Sequence, residues 1–196
     1  MPTEPATKRV VHSARAAFGH THPNYDVRAL ADRLCRLQGW QLAQVRFYTG
    51  IPARTDDPRW HQFWSAKLSV MGRQGVHVYS RALRYSSKTV RLPDGTALTF
   101  MAGEEKGVDV RIALDVIRLA HRDAYDVAVL FSQDQDLSEV AEEVRTISAE
   151  RRRWLKIACA FPTSPTSRSR RGIDKTDWIR IDRVTYDACL DNRDYR

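Results

Sequence analysis

A three-layer α/β sandwich with a mainly parallel central sheet is the fold class this sequence predicts, and three observations predict it. Segments of helical and strand periodicity alternate from residue 26 to residue 161. Two of the strand segments, 127–131 (VAVLF) and 155–161, are continuous apolar runs, as expected of strands covered on both faces. Helices interposed between such strands imply parallel pairing through right-handed crossovers. The composition agrees: 42% of the 196 residues are hydrophobic and 29% are charged, which suits a packed core and excludes wholesale disorder. The length argues for one domain, or one domain with an extension.

Each element has its own signal. Residues 26–37 carry Val27, Leu30, Ala31, Leu34 and Leu37 at helical spacing, with Asp26 placed to cap the helix and Gly39 to end it. AQVRFY (43–48) reads as a strand closed by Gly50 and Pro52. Trp60, Phe63, Trp64, Leu68 and Met71 form one stripe of a helix over 58–71. That stripe reads as core more readily than as a base-stacking platform, which needs exposed aromatics beside cations. Residues 76–83 alternate as a strand, and 86–101 resemble a β-hairpin around Pro93-Asp94-Gly95. A strong amphipathic helix over 107–121 is built on Val108, Ile112, Val116, Leu119 and Ala120, and 137–147 is another helix. TSPTSRSRRG (163–172) is a polar basic loop, 178–181 suit a last short strand, and 184–190 a turn or short helix. The chain thus divides into a disordered start (1–9), a domain (10–162), and a basic loop with a C-terminal extension packed on the domain (163–196).

Cys35, Cys159 and Cys189 are odd in number, far apart and without CxxC or Cys/His zinc spacing, so reduced, mostly buried thiols are expected. No apolar run approaches the ~20 residues of a membrane helix. MPTEPATKRVVHSAR lacks the apolar stretch of a secretory signal. A cytoplasmic protein with no membrane partner is the expectation. The formal net charge of +8, from 32 Lys+Arg against 24 Asp+Glu, suits a polyanionic partner.

The chemistry concentrates in VAVLFSQDQD (127–136), where a buried strand ends and delivers Ser132, Asp134 and Asp136 into the next turn. Ligands of open parallel sheets bind beyond the carboxyl ends of strands. Two acids two residues apart can converge on a hard divalent cation, which prefers oxygen ligands. Asp136 also stands three residues before Glu139, a helix-capping spacing, so capping and metal ligation both stay open for it. Asp109, in Lys106-Gly107-Val108-Asp109-Val110, falls in the first turn of a helix, where its charge suits the dipole. Asp115, about 600° further around that helix, need not share its face and is secondary.

KGVDVRIALDVIRLA, followed by YDVAVLFSQDQDLSEVAEEV, resembles the NYN branch of the PIN-like ribonucleases. HSARAAFGHTHPNYDVRALADRLC and QVRFYTGIP extend the resemblance over roughly residues 10–161. It implies a parallel α/β sandwich with an acidic pocket at the strand ends, and metal-dependent cleavage of RNA by activated water. It makes Asp109, Asp134 and Asp136 the catalytic and metal-binding acids for Mg²⁺ or Mn²⁺. Lys106 and Ser132 become RNA-facing neighbours that shape the pocket. C-terminal tails of this kind are common in bacterial members. The chain departs from the family at its start. Members open with a buried strand ending in an Asp-x-x-Asn pattern, whereas here Lys8-Arg9-Val10-Val11 passes directly to His12-Ser13-Ala14-Arg15. The strand, its Asp and its Asn are missing, and that Asp is a principal metal ligand.

The expected function is a metal-dependent endoribonuclease of the NYN type acting on RNA phosphodiesters, impaired by loss of the first-strand Asp. The alternative is a catalytically weak or inactive RNA-binding or regulatory protein of the same fold, and a weaker third reading is phosphatase-like chemistry. The RNA is expected to be single-stranded and held by Arg168, Arg170 and Arg171 of the serine-bearing loop, against a merely solvated loop. Arg151, Arg152 and Arg153 read as a solvated helix end. His20 and His22 read as solvated or hydrogen-bonded loop residues. Monomer and homodimer both stay open.

Overall fold

The computed structural model describes residues 13–21, 24–167 and 170–195. The start expected over 1–9, His22 and Arg168 lie outside the described residues. Helical backbone at 13–18 (α1), which periodicity does not announce, opens them. The Asp26 side chain accepts from the Ala29 amide (2.9 Å) and starts α2 (Val27–Leu37), as its capping chemistry predicts. The capping side chain of Asp57 and a proline at the first turn start α3 (Pro58–Arg73) in the same way.

The parallel strands form two sheets. β1 (Arg46–Ile51) pairs in parallel with β2 (His77–Ala82). β1 runs three residues beyond the expected segment, and Gly50 lies inside it. A Cβ on Gly50 would come within 2.5 Å of Leu83 Cδ2 and 3.2 Å of Glu105, so glycine serves close approach here rather than strand closure. β3 (Arg84–Arg91) and β4 (Ala97–Glu104) form the expected antiparallel hairpin. Gly95, at φ 85°, donates back to the Leu92 carbonyl (2.9 Å) in its turn. α4 (Val108–His121) leads to β5 (Val127–Leu130), a short 3₁₀ turn (Gln135–Leu137), α5 (Ser138–Glu150), β6 (Lys156–Pro162), β7 (Asp177–Ile181) and α6 (Arg183–Asp187). β5, β6 and β7 make the second parallel sheet, with β6 in the middle. Its buried run IACAF is the continuous apolar strand the sequence announces.

The α/β class with parallel sheets stands. The expected single central sheet does not: among the described residues, no strand joins β1 to β5. A cleft of about 940 Å³ opens there instead, lined by Val45, Phe47, Val129, Phe131, Leu34 and Val116 among others. Leu130, Leu137, Val140, Val144 and Phe161 anchor a core under α4 and α5. Phe47, Trp64 and Met71 anchor another under α3. Trp64 is buried as expected of a core stripe, while Trp60 at its edge is 53% exposed. Cys159 and Cys189 are buried and Cys35 half-buried, all as free thiols. No helix among the described residues is long and apolar enough to cross a membrane.

The C-terminal region closes on this body. Tyr186 is fully buried and stacks with His20, whose Nε2 meets Asp187 Oδ1 at 2.7 Å. His20 is therefore a hydrogen-bonded loop histidine. Two of the three arginines after α5, Arg151 and Arg153, are not simply a solvated end. Arg151 donates to the His121 carbonyl (2.9 Å) and to Asp123, and Arg153 binds Asp123, Asp126 and the Tyr125 carbonyl. These bonds tie the end of α5 to the turn that starts β5.

Candidate nucleic-acid interface and acidic turn

β5 ends at Leu130, and the chain turns sharply into α5 because side chains close the turn on themselves. Buried Ser132 accepts from the Asp134 amide through its hydroxyl (3.1 Å). Asp134 in turn accepts from the Asp136 amide through Oδ1 (3.2 Å) and caps the 3₁₀ turn. Ser132 is thus engaged in orienting Asp134. Asp134 is half-buried, and Asp136 is exposed. Capping in this turn falls to Asp134 rather than to Asp136, whose spacing to Glu139 suggests it. Among the described residues, no side chain caps α5 itself.

Asp109 comes from another element, the first turn of α4. Its Oδ1 is buried and has no hydrogen-bond partner among the described residues. Ile112, one turn along α4, packs in the same apolar cluster as Leu137, the residue after Asp136. The acid-bearing ends of α4 and of the β5–α5 turn therefore share one supporting core. Among the described residues, no group of three or more His, Cys, Asp or Glu side chains is arranged to hold a metal ion.

The donor chemistry still fits a weakly caged hard cation. A buried carboxylate oxygen without a partner is costly unless a cation or proton meets it. Mg²⁺ is commonly held by only one or two carboxylates, with water and substrate phosphate completing its shell. Asp109 and Asp134 would hold it, with Asp136 at the exposed side. When bound, such an ion would lower the pKa of its water and stabilise charge on a phosphate oxygen.

Two glutamines, which sequence reasoning missed, fix the basic loop beside this turn. Gln133 Nε2 donates to the Arg171 carbonyl (2.8 Å). Gln135 donates to the Gly172 carbonyl (2.8 Å) and accepts from the Asp174 amide (3.1 Å). The alternation Ser-Gln-Asp-Gln-Asp is the signal: alternate residues of the turn serve the acids and the loop. Gly172 packs so tightly that a Cβ would lie 2.5 Å from Cys159 Sγ and 2.7 Å from Trp178 Cδ1. Arg170 donates to the Ser167 carbonyl (3.0 Å) and to the Pro165 carbonyl, so its charge has no carboxylate in these bonds. Arg171 forms a two-pronged pair with Asp174, with Nε at 3.1 Å. The exposed ammonium of Lys106 pairs with Glu104 at 3.4 Å, an acid of β4 rather than of the turn.

Asp115 has a different part from Asp109. It is buried, and it receives Tyr48 Oη (3.0 Å), Arg111 Nε (3.1 Å), Arg46 (3.4 Å) and Arg118 (3.4 Å). Burial pushes its carboxyl up, but hydrogen bonds from Arg111 and Tyr48 and the nearby guanidinium charges hold it below the usual carboxylate value.

With the fold and the turn described, the class follows: an α/β protein with parallel sheets and an acidic turn at the end of a strand. The model of the NYN domain family matches residues 8–155, and the chain belongs to that family. No curated protein and no solved structure matches it significantly.

Proposed function

We propose that the protein is a metal-dependent RNA nuclease of the NYN type, with a PIN-like sandwich whose central sheet is interrupted. Asp109, Asp134 and Asp136 hold Mg²⁺ or Mn²⁺. Arg168, Arg170 and Arg171 hold the backbone of single-stranded RNA, and Lys106 lines the approach. The observation that carries this reading is the acidic turn at the end of β5 with the basic loop stapled to it by Gln133 and Gln135. Cations beside acids let a phosphate be held by one group while the other positions the attacking water. Ser132 sets the angle of Asp134.

The second reading, an RNA-binding or regulatory protein with little or no cleavage, rests on a specific observation. No three-carboxylate group occurs among the described residues, and the sequence lacks the family's first-strand Asp. Cleavage of single-stranded RNA with Mn²⁺, compared with the Asp134→Asn variant, separates the two. Mn²⁺-dependent cleavage lost in Asp134→Asn supports the enzyme. RNA binding without cleavage in either protein supports the binding module.

A further inference from the structure

α4 crosses one face of the β1–β2 sheet and gathers arginines there. Alternate strand residues share a face, and the parallel register sets Arg46 beside His77, Tyr48 beside Tyr79 and Gly50 beside Arg81. Tyr48 reaches Asp115 of α4, so this is the face that α4 covers, and His77, Tyr79 and Arg81 lie on it. The cover is partial. α4 packs over β1, while His77 and Arg81 of β2 are exposed and Tyr79 is half-buried. Residues 111, 115 and 118 form one helical stripe, which brings Arg111 and Arg118 to the same face. The Arg111 guanidinium stands over the Tyr79 ring, 5.0 Å from its centre.

The charge gathered here is held in place without being neutralised. Among the described residues, Arg46, Arg111 and Arg118 share one carboxylate, that of buried Asp115. Arg111 takes both of its oxygens along a single edge, Nε to Oδ2 and Nη2 to Oδ1 at 3.1 Å each. Its Nη1 has no acceptor among the described residues. Arg118 spends only Nη2 on Asp115, at 3.4 Å, and its side chain is 48% exposed. Arg81 forms no ion pair among the described residues; its Nη1 donates to the Lys106 carbonyl (3.4 Å), three residues ahead of Asp109. Glu105, the acid beside Gly50, accepts from the Gly50 amide (2.8 Å). Guanidinium groups fixed on a buried carboxylate keep their remaining donors pre-oriented, and such planar forks match phosphate oxygens. Cations of one sign in a row attract a polyanion. An acidic peptide would use the charges alone, whereas the Tyr79–Arg111 pair also offers a nucleobase a flat partner.

We propose that the face of α4 and β2 bearing Arg46, Arg81, Arg111 and Arg118 is a second phosphate-binding track, which holds the backbone of single-stranded RNA leading away from Asp109. The track rests on the reading of the protein as one that acts on RNA. Its direction follows from Arg81, held at the N-terminus of α4 where Asp109 stands, and from Arg118, about 13 Å further along the helix axis.

The test is binding of a fluorescent oligouridine of about twelve nucleotides in EDTA, so that cleavage does not intervene. The wild type should bind, more weakly as salt rises. Arg81→Gln/Arg118→Gln should weaken binding about tenfold and flatten the slope of log K against log salt by about 0.7 for each of the two phosphates released. Its melting temperature should match the wild type, because Asp115 keeps Arg46, Arg111 and Tyr48. Should the pair not fold, Arg118→Gln alone should show the change of one phosphate. Arg81→Lys/Arg118→Lys should keep the slope, since lysine retains the charge. Arg59→Gln/Arg73→Gln removes the same charge from exposed positions of α3, on the opposite face of the sheet, and should change neither affinity nor slope. A wild type that binds no RNA, an unchanged slope in the Gln variants of the track, or an equal loss in the α3 variant would overturn the track. Displacement of the probe by poly-glutamate but not by unlabelled RNA would give the face to an acidic protein and overturn it too. Wild-type protein that binds as expected but cleaves no RNA with Mn²⁺ would sink the nuclease reading and leave the track standing.

Discussion

Lys67 is an ammonium at 4% exposure, held by the Asn24 side chain, the Tyr25 carbonyl (3.4 Å), the Tyr195 ring and Asp191 at 3.9 Å. Burial pulls its pKa down to about 8, against the attraction of Asp191 and Asp26. The unfolded chain then holds this proton to higher pH than the folded one. Stability therefore rises with pH between about 8 and 10.5, by up to ~3 kcal/mol at 1.36 kcal/mol per unit. Relative to Lys67→Met, the wild type should gain stability across that window in denaturant titrations; parallel curves would contradict the burial argument. Asp115 has the opposite sign. Its depressed pKa adds stability that is complete above the unfolded carboxylate value and lost as pH falls through the folded one. Asp115→Asn leaves Arg46 and Arg111 facing a neutral group. It should cost about 2–3 kcal/mol, less than a fully buried pair because the arginines are partly exposed. The melting temperature at pH 7, compared with that at pH 3, reads this out.

At the scale of elements, the basic loop owes its position to backbone bonds rather than to its arginines. Gln133 and Gln135 hold carbonyls and an amide of residues 171–174, bonds that replacement of the guanidinium groups leaves in place. Changing Arg168, Arg170 and Arg171 to Ala should weaken RNA binding and flatten the slope of log K against log salt by about 0.7 for each phosphate no longer neutralised. Gln135→Ala should weaken binding with the net charge unchanged. Filter binding over a salt series checks both, and an unchanged slope in the triple variant would assign the arginines to solvent.

The described residues form two parallel sheets and a hairpin, with a cleft between β1 and β5. An interrupted sheet leaves backbone groups and apolar walls to be covered. Lys8 and Arg9 interrupt the continuous apolar run that a strand covered on both faces carries. An apolar strand of six to ten residues ending in Asp-x-x-Asn, inserted between Val11 and His12, should therefore raise the melting temperature by about 2–4 °C per kcal/mol gained. It should also raise Mn²⁺-dependent cleavage by adding a carboxylate at the strand ends. If calorimetry and the RNA assay both show no rise, the departure from the family pattern is not a defect.

Local signals made much of this protein legible. The Asp26 cap, the Pro-Asp-Gly hairpin turn, the amphipathic α4 and the buried run of β6 depend on neighbours a few residues apart, and the structure contains each of them, whereas β5 forms as a strand with only Leu130 of its four residues buried. The acids of the β5 turn and the basic loop were legible as residue types for the same reason. What joins them was not: the glutamine bonds to residues 171–174 span 37 to 39 positions, and no local periodicity records such a pairing. The extent of β1 was likewise set by its register with β2 rather than by its own alternation. The cleft between β1 and β5 has no local signal in the sequence at all. Sequence determines which segments want to be strands and helices, because propensity and capping are local; only tertiary structure decides which edges find partners, because that depends on chain segments far apart meeting at one place.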